Sequence, residues 1–245
     1  REVSWAREMC IRDSPSTAAI TPIQFCEKYC QYVDEGYTDV IHVPINRSGS
    51  STYNNAVMAQ GMLREERPEH HLNIHLLDPH TYSMVFGWYL CEMARKLQNG
   101  AELRHVISEF ETQMNKMEVI LGPYSLKQMK KSGRISAAAA VMGELMGIRP
   151  IITLIDGKTR VESKVRGDDK VIPAMIDLCK KRTEGVEDFD YMIGHTSIPQ
   201  AAELEKACRK AFGKAPLTTF NLGGVVSANT GPDTLALVYV GKPRD

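Results

Sequence analysis

No apolar run in this sequence reaches the roughly 18 residues needed to span a bilayer. The nearest approach, AAAAVMGELMG, is broken by Glu144. Neither sign of charge is in excess: 30 Lys and Arg balance 30 Asp and Glu. That gives no support to a broad nucleic-acid or membrane-surface role. The phosphate-cradling G-x-x-x-x-G-K-[ST] is missing. So are a G-x-G-x-x-G after a strand, a G-x-S-x-G nucleophile turn and H-E-x-x-H, so a free-standing enzyme is hard to build from these residues. None of the six cysteines forms a C-x-x-C pair. Cys26 and Cys30 share one face of an expected helix and read as reduced core residues of a cytoplasmic protein. His70, His71, His75 and His80 straddle a loop and a strand and read as exposed or structural, so no metal site is expected. The opening REVSWAREMCIRDS has neither a hydrophobic period nor a signal-peptide pattern. Residues 1–13 are set aside as non-native or disordered.

What remains is an ordinary globular composition, 43% hydrophobic and 24% charged over 245 residues, enough for one large domain or two small ones. Strands (DVIHVPI, LNIHLLD) alternate with helices in the first half, which predicts a Rossmann-like parallel sheet over residues 14–117. Thr21 and Pro22 open the first helix and Gly36 ends it. Leu103, Val106, Ile107, Phe110 and Met114 recur at helical spacing and form a packing stripe. From residue 118 to 245 the pattern changes. Hairpin-linked strands, one pair turning at Asp156-Gly157, predict an α+β domain with a largely antiparallel sheet.

The stretch Asn46 to Ser51 packs hydroxyls and one glycine at the mouth of a helix. The first N–H groups of a helix lack internal partners and carry partial positive charge. The turn therefore reads in two ways: as an anion site, or as a plain connection with Ser50 or Ser51 as the N-cap. The residues alone leave both open.

Four segments in order resemble the DegV family of bacterial fatty-acid-binding proteins. STAAITPIQFCEKY is similar to the family's T-S-x-P-[ST]-P-x-x-[FY], and NRSGSSTYNNA to S-S-x-L-S-G-T-Y-x-[ST]-A. LKQMKKSGRISAAAAVMGELMGIRPIITLIDGKTRVESKVRG resembles L-x-x-L-K-x-G-G-R-I followed by a helix and hairpin. ANTGPDTLAL looks like H-x-G-P-G-x-L-G. Together they cover about Ser16 to Val240.

The resemblance implies a two-domain protein that buries a long-chain fatty acid between its domains. It implies presentation of the carboxylate to a separate ATP-binding fatty acid kinase subunit, with no catalysis and no cofactor of its own. The family's carboxylate-binding threonine falls on Thr17 and its serine on Ser50, with Ala18 and Asn229 at the neighbouring positions. Arg134 falls on the kinase-docking surface, and Arg166 ends the hairpin as a second partner or phosphate contact. The acyl tail needs an apolar tunnel, and Met84, Phe86, Trp88, Val141, Met142 and Leu145 read either as its walls or as ordinary core. Several positions depart from the pattern. Ala18 replaces a common serine, Ser51 a glycine, and Asn229 a histidine, which removes a titratable charge. Val85 replaces a glycine, so a narrower pocket is expected there. The family's opening strand–helix–strand has no counterpart, so the first sheet is expected to be short of strands. The competing reading is a stand-alone enzyme or binding protein for a small acidic metabolite.

Overall fold

The computed structural model describes residues 15–133 and 147–243. Helix α1 (Pro22–Asp34) starts as its sequence predicts. Thr21 Oγ1 accepts from the Gln24 N–H, and Gln24 Oε1 accepts from the Thr21 N–H, a reciprocal cap that satisfies two otherwise orphaned donors. Strand β1 (Asp39–His42) leads through a polar turn into α2 (Thr52–Glu66) and then β2 (Asn73–Leu76). β1 and β2 pair in parallel from Asp39↔Asn73 to His42↔Leu76. α1 and α2 bury Phe25, Tyr29, Ala56, Ala59 and Leu63 against each other and Leu72. The small residues at 56 and 59 let the two helices approach closely.

The larger sheet has six strands. Helices α3 (Met84–Gln98) and α4 (Leu103–Met114) precede β3 (Met117–Pro123) and the short α5 (Lys127–Ser132). The hairpin β4 (Ile148–Ile155) and β5 (Lys158–Arg166) turns at Asp156-Gly157, with Gly157 at φ +69°. A 3₁₀ turn (Asp168–Lys170) runs into α6 (Val171–Arg182). After it come β6 (Tyr191–His195), α7 (Gln200–Phe212), β7 (Thr219–Asn221), α8 (Gly223–Thr230) and β8 (Thr234–Val240). The strand order is β5-β4-β3-β8-β6-β7, antiparallel except for the β6–β7 pair. The two-residue period of the central strands divides the core. Ile120, Leu235, Leu237 and Tyr239 face α6 and α7, with Ile172, Met175 and Leu204 among their partners. Val119, Leu121, Ala236 and Val238 lie on the opposite face with Val106, Phe110 and Met114 of α4.

The predicted classes, a small parallel sheet and a larger mostly antiparallel one, are both present. One grouping differs from expectation. α3 and α4 precede residue 118, yet their buried side chains Val85, Met93, Val106, Phe110 and Met114 join the core of the larger sheet. The helical stripe fixes which face of α4 is buried, but not which sheet receives it. A buried carboxylate on β3 is fully engaged: Glu118 accepts from Arg182 and from the Tyr239 hydroxyl at 2.6 Å. Burial, with Glu118 beside it, pushes the Tyr239 hydroxyl pKa far up.

Candidate functional site

A cavity of about 610 Å³ opens between the two sheets. Its apolar lining comes from β3 (Val119, Leu121), β4 (Leu154), β8 (Ala236), α5 (Met129), α8 (Val225, Val226) and Val85 at the start of α3. Its polar lining is hydroxyl-rich: Thr17, Ser48, Ser50, Ser51, Thr52, Thr81, Ser83, Thr159 and Thr230. Lys158, the first residue of β5, is the one charged side chain among the described lining residues. The volume lies within the range of about 300–1,000 Å³ typical of small-molecule sites. Apolar walls with a cluster of uncharged donors and one cation suit an amphiphile with an acidic head.

The hydroxyl cluster is held by the Asn46–Ser51 turn. Asn46 is buried, and its Oδ1 accepts from the Ser48 N–H (2.7 Å), the Ser48 hydroxyl (2.8 Å) and the Gly49 N–H (3.2 Å). A side chain caps its own turn in this way when the N–H groups two and three residues on converge on it. Gly49 is required by closeness: a Cβ there would lie 1.7 Å from the Tyr82 hydroxyl oxygen. Ser51 is the formal N-cap of α2 but makes no side-chain cap bond. Ser50 Oγ instead accepts the Thr52 N–H at 3.2 Å and shares a 2.8 Å hydrogen bond with Thr52 Oγ1. Whichever of the two hydroxyls donates inside this pair, the proton of the other remains for a ligand. The turn is thus a helix cap and a donor pair at once.

Thr81, which sequence reasoning missed, lines the same cavity. It is 2% exposed, and its Oγ1 has no hydrogen-bond partner among the described residues. A buried hydroxyl of this kind is costly unless something pairs with it. Ser83 Oγ donates to the Leu222 carbonyl at 3.1 Å, tying the start of α3 to the loop before α8.

A polar seam closes the edge of the cavity. Ser48 Oγ lies 3.0 Å from the Asp156 carbonyl, which shares with Asn46 Oδ1 the one hydroxyl proton, and His80 Nδ1 lies 2.6 Å from Asp156 Oδ1. Gly157 sits so close to Asn46 that a Cβ would fall 2.2 Å from its Oδ1. His80, Ser83 and Asp156 all hold positive φ (54°, 61° and 49°), a conformation that costs non-glycine residues energy. The hairpin of the large sheet is thereby fastened to the loops that follow β1 and β2.

The expected site residues distribute as follows. Thr17, Ala18, Ser50 and Asn229 all line the one cavity. The segment carrying Thr17 is tied by Gln128 Nε2, which donates to the carbonyls of Pro15 (3.4 Å) and Ala228 (2.6 Å). Asn229 Nδ2 donates to the Val225 carbonyl at 2.8 Å, so one of its two amide protons is already used within α8. Val85 lines the cavity, whereas Met84, Phe86 and Trp88 pack half-buried against the large-sheet core. Arg166 is exposed at the end of β5, opposite Ile148. Arg134, Val141, Met142 and Leu145 lie outside the described residues. Of the histidines, His75 pairs with Asp39 at 2.9 Å and His80 belongs to the seam. Among the described residues, no helix is long and apolar enough to cross a membrane.

Fold and cavity together define a mixed α/β protein whose two sheets border an amphiphile-sized cleft. The chain belongs to the DegV family: residues 5–242 match the family described as "Uncharacterised protein, DegV family". A DegV domain-containing protein of Clostridium perfringens is 29% identical over 231 residues, covering 92% of this chain and 78% of that protein. A DegV domain-containing protein of Staphylococcus aureus is 28% identical over 233 residues, covering 93% and 78%. Among solved structures, the stearic-acid-binding protein of Eubacterium ventriosum superposes with a TM-score of 0.86 at 20% identity, over 99% of this chain and 84% of that one. A DegV family protein of Eubacterium eligens loaded with heptadecanoic acid gives 0.80 at 21% identity, over 96% and 84%. At these identities the likeness establishes a shared fold.

Proposed function

We propose that the chain binds a long-chain fatty acid in this cavity, with the carboxylate among the hydroxyls of Thr17, Ser50, Thr52 and Thr81. The tail then follows the apolar residues of β3, β4, β8 and α8. The observation that carries this reading is the pairing of an apolar wall with the Ser50–Thr52 hydroxyl pair, one proton of which is left to donate, in one cavity. A carboxylate brought in with a hydrocarbon tail stays ionised only if it is well hydrogen-bonded. Neutral hydroxyls supply those bonds without a second buried charge, and Lys158 adds a favourable field from an exposed position. The shared fold with proteins carrying stearic and heptadecanoic acid supports the choice of ligand class.

In the fuller reading, the protein is a cytoplasmic, non-catalytic carrier that requires no cofactor. It offers the carboxylate to a separate ATP-binding kinase subunit, which forms the acyl phosphate. Arg134 and Arg166 are the assigned contacts for that partner or its phosphate. The test of ligand class is native mass spectrometry of protein purified from a bacterial host. A co-purifying acyl chain is expected; a polar metabolite, or a folded protein that stays empty after fatty acid is added, would refute the reading. The partner reading is tested separately. Acyl phosphate should appear only when a kinase subunit is added, and ATP-dependent turnover by the isolated chain would refute it.

A further inference from the structure

We propose that Cys26, Cys30 and Glu66 form a binding site for a soft divalent cation of the zinc type, separate from the lipid cavity. The two thiols stand four residues apart on the buried face of α1. Glu66, the last residue of α2, reaches them from the neighbouring helix. One donor atom from each residue lies within 4.8 Å of the other two, and Cys26 Sγ donates to Glu66 Oε2 at 3.6 Å. Among the described residues this is the one group of three or more Cys, His, Asp or Glu ligand atoms so gathered. Cys26 and Cys30 spacing alone did not reveal it, because the third ligand arrives from 36 positions after Cys30 through helix packing.

The chemistry is that of a three-ligand site with a fourth position open to water. Both thiols are buried, and Glu66 is exposed at a helix end, so the open side meets solvent. When the dication binds, both thiols lose their protons to solvent, two thiolates and one carboxylate surround a charge of two, and one net negative charge remains near Arg67. Cys179 and Cys208 are also buried, but no third such donor joins them among the described residues. Occupancy staples α1 to α2; Thr52 at the start of α2 lines the lipid cavity, and α1 follows the lining segment Thr17 to Ala19.

The test is titration of the reduced full-length protein with Cd²⁺, read by thiolate-to-metal charge-transfer absorbance, with Zn²⁺ as competitor. One equivalent is expected to give the band, and Zn²⁺ should remove it. The double variant Cys26→Ser, Cys30→Ser should lose the band, while Cys91→Ser keeps it. Glu66→Gln, at an exposed position, should fold normally and bind at least about tenfold more weakly. Wild-type protein that gives no one-equivalent band would overturn the proposal. So would a band that survives in the double variant, or unchanged affinity in Glu66→Gln. If the double variant does not fold, the Glu66→Gln measurement decides.

Discussion

Replacing Thr81 by Val separates stability from binding. In the empty protein the Thr81 hydroxyl is buried, and no described residue pairs with it. Leaving such a group unsatisfied costs about 1–3 kcal/mol, and valine has nearly the same shape without the hydroxyl. Thr81→Val is therefore expected to stabilise the delipidated protein by about 1 kcal/mol. On the proposed reading, ligand entry brings the fatty-acid carboxylate to this hydroxyl, which then donates to it. A hydrogen bond to a charged group contributes about 1.5–3 kcal/mol, so affinity should fall roughly ten- to a hundredfold. The two effects have opposite signs, whereas a merely disruptive mutation lowers both quantities. The assay is urea unfolding of delipidated protein alongside titration with a saturated long-chain fatty acid on the same samples. The methyl ester of that acid is the neutral control. It should bind more weakly to wild type, and the gap between acid and ester should shrink in the variant. A loss of stability with unchanged affinity would refute the reasoning, because the hydroxyl would then be serving the fold.

Ser50→Ala should lower both quantities: about 1 kcal/mol of stability, because the Thr52 N–H loses its acceptor, and fatty-acid affinity as well. A change in only one of the two would assign Ser50 to a single role. Gly49→Ala forces the Tyr82 ring away from the turn and should destabilise by about 1–3 kcal/mol, with thermal unfolding as the readout. An unchanged melting curve would contradict that contact. Burial holds His42 below its ordinary value of 6.5, so the ring is neutral in the fold, while the unfolded chain takes up the proton at higher pH. This contribution to stability is complete above about pH 6.5 and is lost as pH falls through the depressed folded value, with His195 acting in the same direction. Unfolding free energies between about pH 7 and 5 should fall less steeply in His42→Gln, and an identical slope would count against the assignment. Arg182→Ala leaves the buried Glu118 carboxylate without its cation and should cost about 3–5 kcal/mol in denaturant unfolding. A cost below 1 kcal/mol, by comparison about that of an exposed pair, would mean water replaces the guanidinium.

The parts of this fold that the sequence discloses are those whose cause is local. Thr21, Pro22 and Gln24 announce the start of α1 because a cap is made within four residues. Asp156-Gly157 announces a hairpin because the turn needs positive φ at both positions. Thr17, Ser50 and Asn229 reach one cavity, and it was the family's motifs that singled them out. α8 went unread: GGVVSANT has two glycines and no helical period. It forms because Asn221 Oδ1 accepts the Gly223 N–H and because the helix packs beside α5. Thr81 and Lys158 were missed for a similar reason. Nothing near either residue in the chain distinguishes it from a surface threonine or lysine; only the approach of the hairpin to the first sheet places both on the cavity wall. The packing of α4 on the larger sheet follows the same rule, since periodicity gives a face but not its partner.

The seam from Asn46 and Ser48 through His80 to the Asp156-Gly157 turn has a kinetic consequence. Its His80–Asp156 contact is polar and partly exposed, so water can take each partner if the seam opens. The apolar walls beneath offer no such replacement. On the proposed reading, one set of residues holds the lipid and another admits it. Changes at Asp156 or His80 should alter how fast a lipid enters and leaves while leaving the equilibrium preference for that lipid almost untouched. Exchange rate and affinity can then drift independently in evolution, the first set by a two-residue turn and the second by the strands on either side of it.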